Sequence, residues 1–105
     1  MKNIQLVTKL PEVSGVALSD TSGALIECIG QMDGEVTGAI HAYVAQALSK
    51  AGDVLGIGAF ERASLSSSAG TCLIFLHEDA VLGVNINAKS PTALVENKIC
   101  EILAK

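Results

Sequence analysis

Residues able to do chemistry are few and lie far apart along the 105-residue chain. His41 and His77 are its two imidazoles, the residue type that ligates metals and moves protons near neutral pH. No Glu, His or Cys stands three or four positions from His41, and His77 closes an apolar run just before Glu78 and Asp79, so both are expected at the surface or in a turn. Cys28, Cys72 and Cys100 are odd in number and form no CxxC pair, as expected of reduced core thiols in a cytosolic protein. Ser66, Ser67 and Ser68 offer hydroxyls but nothing that resembles a nucleophile elbow, which makes them a polar turn. Gly56-Ile57-Gly58 follows a predicted helix and leads into a strand. A phosphate-cradling loop runs the other way, from strand into helix, so close backbone packing or a bulge is the better account. The chain has no GxxxxGK followed by Ser or Thr, and Asp20-Thr21-Ser22-Gly23, although it fits DxxG, is then a turn. Glu61 beside Arg62 is either a solvated pair worth little or an interface charge.

Composition leaves little room for a catalytic centre. Half the residues are hydrophobic and only 17% are charged, which excludes disorder and describes one domain with a core of its own. The net charge is −4 and Arg62 is the single arginine, so the clustered cations that bind nucleic acid or anionic membrane are missing. Met1 to Leu10 lacks the continuous apolar core of a signal peptide, and polar residues interrupt every stretch long enough to cross a bilayer. A cytoplasmic location, no metal and no cofactor are the resulting expectations.

The elements that must position these residues follow from periodicity. Three consecutive strands are expected over Leu55 to Ser66, Thr71 to His77 and Ala80 to Asn87. Thr71 to Leu76 has no polar residue after its first position, which implies cover on both faces. Leu55 to Ser66 alternates and carries Glu61, Arg62, Ser64 and Ser66, as an edge strand would. In that strand Phe60 shares a face with Arg62 and either joins the core, the favoured choice, or anchors a partner.

Upstream, Ile4, Val7 and Leu10 suggest a short first helix, a lid at most, closed by Pro11. Ser14 to Asp20 and Ala24 to Ile29 form a hairpin about Thr21-Ser22-Gly23. From Glu35 to Lys50, Val36, Ile40, Tyr43, Val44, Ala47, Leu48 and Ala51 form a stripe expected to pack on the sheet, with Asp33 as N-cap and Gly52 as terminator. Gly38, Ala42, Ala45 and Ser49 form a second line of small residues. This line either turns away from the sheet toward a second copy of the chain or merely reflects alanine's helix propensity. Ser90-Pro91 opens a last helix whose apolar side is Leu94, Val95, Ile99, Ile102 and Leu103. The fold class is α+β: helix, two strands, helix, three strands, helix, with mostly antiparallel pairing and helices on both faces of the sheet.

Gly15-Val16-Ala17-Leu18-Ser19-Asp20 followed by Gly23-Ala24-Leu25-Ile26, the small-residue helix up to Ala51, Gly56-Ile57-Gly58 leading into Phe60-Glu61-Arg62-Ala63, and Gly70 opening Thr71 to Leu76 carry a resemblance. Over nearly its whole length the chain resembles the roadblock and dynein light chain family. The resemblance implies a five-stranded antiparallel sheet of profilin or longin type between helices. It also implies a homodimer joined through the central helix, at Gly38, Ala42, Ala45 and Ser49, and through the edge strand, at Phe60 to Ser64 with Arg62 among them. Members are non-enzymatic regulators or scaffolds, and bacterial ones commonly act with small Ras-like GTPases. The expected function is therefore a homodimer that binds such a GTPase and biases its switch loops; the alternatives are a purely structural adaptor and, last, a small-ligand sensor. No catalytic residue carries over, and Arg62, on a strand, is poorly placed to reach a nucleotide.

Overall fold

A computed structural model describes residues 4–30, 34–58, 61–68, 70–77, 79–87 and 91–104, without the side chains of 34, 35 and 77. The elements run α1 (Ile4–Thr8), β1 (Val13–Asp20), β2 (Leu25–Gly30), α2 (Gly34–Leu55), β3 (Arg62–Ser67), β4 (Gly70–His77), β5 (Ala80–Ile86) and α3 (Thr92–Leu103). All five strands join one antiparallel sheet in the order β2-β1-β5-β4-β3. The expected hairpin and meander are both present, and β3 is an edge strand.

Alternation along the strands sorts side chains into two layers. Val16, Leu18, Leu73, Phe75, Leu82, Val84 and Ile86 point to one face. There they bury Ile4 and Val7 of α1 and Val95, Ile99 and Leu103 of α3. Each such side chain contributes about 1.5–3 kcal/mol when fully buried, so α1 is an integral part of the core rather than a lid. Leu94, expected on the apolar side of α3, is exposed instead. Ile74 and Val81 point to the opposite face, where Ala45 of α2 closes a smaller cluster with Val44, Cys72 and Leu76 at its margin.

The boundary between α2 and β3 differs from the sequence expectation. Gly52 does not end the helix; it lies buried inside it, and α2 runs four residues further than a stop at Gly52 would allow. Gly56 ends it, with φ +77. Its N–H donates to the Asp53 carbonyl at 3.1 Å while the Ile57 N–H reaches back to Gly52 at 2.9 Å, the paired bonds of a Schellman stop. Among the described residues, 55–58 are thus helix end and connection rather than strand, and β3 spans Arg62–Ser67. Asp33, Phe60 and Ser90 lie outside the described residues.

Candidate functional site

Helix α2 presents two lines of residues on opposite sides, and most of the stripe expected to pack on the sheet turns outward. Of that stripe, Val44, at the margin of the inner cluster, and Leu48 stay half-buried. The small line faces the sheet. A Cβ on Gly38 would stand 3.3 Å from the Ser19 Cβ, and the Ser19 hydroxyl donates to the Gly38 carbonyl at 3.3 Å. Ala42 is 2% exposed, and Ala45 packs on Ile74 and Val81. These three residues are spent within the protomer and cannot form an outward seam. Ser49, half-buried, lines a cleft of about 330 Å³ with Thr21, Ala42, Ala45 and Leu76, edged by Gln46 and Lys50. The physical reason is depth: the α2-facing side of the sheet already carries Ile74 and Val81, so the helix approaches closely only where its own side chains are small.

The large line consequently meets water. Ile40 is 55%, Tyr43 74% and Val54 88% exposed, with Val36, Ala47 and Ala51 exposed on the same side. At 3.6 residues per turn these positions fall in one stripe along a helix about 33 Å long. Leu55 and Ile57 extend the apolar surface past the helix end. A helix side turned to solvent is ordinarily polar, and a contiguous apolar stripe of this length marks an interaction surface.

Strand β3 supplies the second half of the site. The Leu76 N–H donates to the Glu61 carbonyl at 2.9 Å, and the register then pairs Ala63 with Ile74 and Leu65 with Cys72. In an antiparallel ladder such bonded positions alternate. Arg62, Ser64 and Ser66 therefore direct their main-chain N–H and C=O groups away from β4, toward the open edge. Leu65, on the α2 side of the sheet, is more than half exposed.

Arg62 is fixed from the other face. Its Nε pairs with the Glu96 carboxylate of α3 at 3.1 Å and its Nη1 donates to the Cys100 sulfur at 2.9 Å. The sulfur contact first, and the Glu96 carboxylate after it, push the guanidinium pKa up. Its ion pair is thus with α3 rather than with the neighbouring Glu61. Ser64 is exposed on the same face as Arg62.

His41 overturns its expected surface position: it is 6% exposed, wedged between α2 and the sheet. The signal for this was Gly83, the one residue without a side chain in the middle of β5. A Cβ there would fall inside the His41 ring. The three cysteines are free thiols, each partly buried. Among the described residues no three His, Cys, Asp or Glu side chains gather as metal ligands would, and no helix is long and apolar enough to cross a membrane.

No protein-family model matches the sequence, and no curated protein matches it. Solved structures do match the fold. A Roadblock/LC7 domain from Streptomyces avermitilis superposes with a TM-score of 0.83 at 13% identity, covering 95% of this chain and 87% of that one. MglB of Myxococcus xanthus gives 0.83 at 18% identity, over 98% of this chain and 84% of its own. MglB in a tetrameric arrangement gives 0.80 at 16%, over 98% and 85%. Strand order, helix placement and these superpositions agree: the chain has the fold of a Roadblock/LC7 domain.

Proposed function

We propose that the chain is a non-catalytic interaction module that works as a homodimer and that its partner is a small Ras-like GTPase. The observation that carries self-association is the coincidence of an apolar outer face on α2 with a β3 edge whose Arg62, Ser64 and Ser66 turn their main-chain groups away from β4. Two copies related by a twofold axis complete both at once: edge strands pair antiparallel, and the stripes of Ile40, Tyr43 and Ala47 exclude water from one another. The tetrameric arrangement of MglB, which shares the fold, supports association as a property of this architecture. The interface proposed from sequence accordingly keeps Arg62 and Ser64 on β3 but exchanges Gly38, Ala42 and Ala45 for the larger residues of the outer face.

The GTPase partner is supported by the family resemblance, whose bacterial members commonly act with such proteins. Arg62 lies within the α3 pairings and is not the residue that would enter a nucleotide site. Regulation would then act by holding the partner's switch loops in one arrangement. The test is binding of the purified chain to individual small Ras-like GTPases of its source organism, each loaded with GDP or a GTP analogue. Nucleotide-dependent binding supports regulation. Binding that ignores the nucleotide converts the role to a structural adaptor, and no binding to any of them removes the GTPase reading.

A further inference from the structure

Under α2 lies a polar contact that neither the outer face nor the apolar core requires. The Nε2 atom of His41 stands 3.4 Å from the Cys72 sulfur on β4, while its Nδ1 is buried without a hydrogen-bond partner among the described residues. Whichever nitrogen carries the proton of the neutral ring, one ring nitrogen is left unsatisfied. The imidazole fills the space that the missing side chain of Gly83 leaves on β5.

Among the described residues, the surroundings of the ring hold no compensating charge. On the α2-facing side, β5 offers Val81, Gly83 and Asn85, β4 offers Cys72 and Ile74, β1 offers Ala17 and Ser19, and β2 carries Cys28 opposite Ala17. One turn away on α2 itself stand Thr37, Gly38, Val44 and Ala45. The titratable groups on this side are therefore the Cys72 and Cys28 thiols; among the described residues no carboxylate joins them. Burial pushes the Cys72 thiol up, which keeps it neutral.

We propose that His41 is an acid-sensitive latch: a proton taken up by its imidazole breaks the seat of α2 on the sheet. An imidazolium has two N–H donors and a full charge, and among the described residues the ring meets one soft sulfur acceptor and no counter-ion. Consistent with that, burial lowers the His41 pKa from its ordinary 6.5. The unlatched form takes up its proton at the ordinary value and the seated form only at lower pH. The seated state is therefore fully favoured above about pH 6.5 and loses ground as pH falls from there toward the lowered value. One proton sets the steepness, so the opening constant of α2 grows by up to about tenfold per pH unit in that window.

Loss of the outer face in the same step rests on the self-association proposed above; the latch itself does not. The test follows amide exchange along residues 34–58 of the full chain, expressed as protection factors, between about pH 7.5 and 5, together with NMR titration of the His41 ring. In the wild type α2 protection should fall on acidification while His41 titrates below its ordinary value. In His41→Phe, which keeps a ring but cannot take a proton, that response should vanish, and His41→Gln serves if Phe does not fold. An ordinary His41 titration with unchanged α2 protection overturns the latch, as does an equal acid response in the variant. Sedimentation near neutral pH separates the two ideas. A monomer whose α2 still opens in acid keeps the latch and removes the dimer, whereas a dimer with acid-insensitive α2 removes the latch alone.

Discussion

Adding one methyl to Gly83 places a carbon where the His41 ring already is, with the β5 backbone on one side and α2 on the other. Overpacking of a closed site costs about 1–3 kcal/mol. Against this, alanine in a strand interior is favoured over glycine by roughly 0.5–1 kcal/mol. Gly83→Ala should therefore destabilise the wild type by about 1–2 kcal/mol. In a His41→Ala background the ring is gone and the new methyl enters vacated space, so the same substitution should be neutral or stabilising by up to about 1 kcal/mol. The two changes should then couple by about 2 kcal/mol, with the double variant more stable than the sum of the singles. The cost of His41→Ala alone drops out of this comparison, which matters because lost packing there is offset by removal of an unpaired nitrogen and by a better helix former. Urea unfolding of all four proteins, at one protomer concentration and with slopes compared, measures the coupling. Additivity within about 0.5 kcal/mol would show that the ring and the glycine do not share a space, and the placement of His41 would be wrong.

Two arginine substitutions on α2 should separate its faces. Ala45→Arg drives a charge against Ile74 and Val81 and should abolish cooperative thermal unfolding, whereas Ile40→Arg points into water and should keep the circular dichroism spectrum while light scattering reports a monomer. At the β1–β2 turn the Asp20 carboxylate accepts from the Ser22 hydroxyl at 2.6 Å and from the Ala24 amide at 3.0 Å. These bonds, the hydroxyl foremost, hold its pKa below the ordinary 3.8. The turn's contribution is thus present above that value and lost as pH falls through the lowered one; amide protection at Ala24 should show this acid loss in the wild type and lack it in Asp20→Asn.

Much of the fold was legible because it is written in short-range chemistry. The Asp20 turn, the unbroken apolar run of β4 and the alternation of β3 each name their element without reference to the rest. What stayed hidden depended on contacts between elements. Gly52 and Gly56 are equally good helix stops locally, but Gly52 is buried within the helix and only Gly56 takes the positive φ that ends it. On α2, Gly38, Ala42 and Ala45 against Ile40, Tyr43 and Ala47 are two lines of similar period; which one meets the sheet depends on how deep the residues of β4 and β5 already fill the layer. His41 was misplaced for the same reason, since its partner is a glycine 42 positions away that signals only by lacking a side chain. The edge character of β3 survived because polar alternation at a sheet border needs no knowledge of the remaining strands.

Self-pairing of the β3 border is tested most directly by amide hydrogen exchange at Arg62, Ser64 and Ser66, whose N–H groups point away from β4. If a second copy completes the sheet, these three amides exchange slowly at protein concentrations where the chain associates, and their protection falls on dilution. Exchange at the rate of open peptide at every concentration would mean that nothing pairs with this edge, and the account of the protein as a self-completing interaction module would fail.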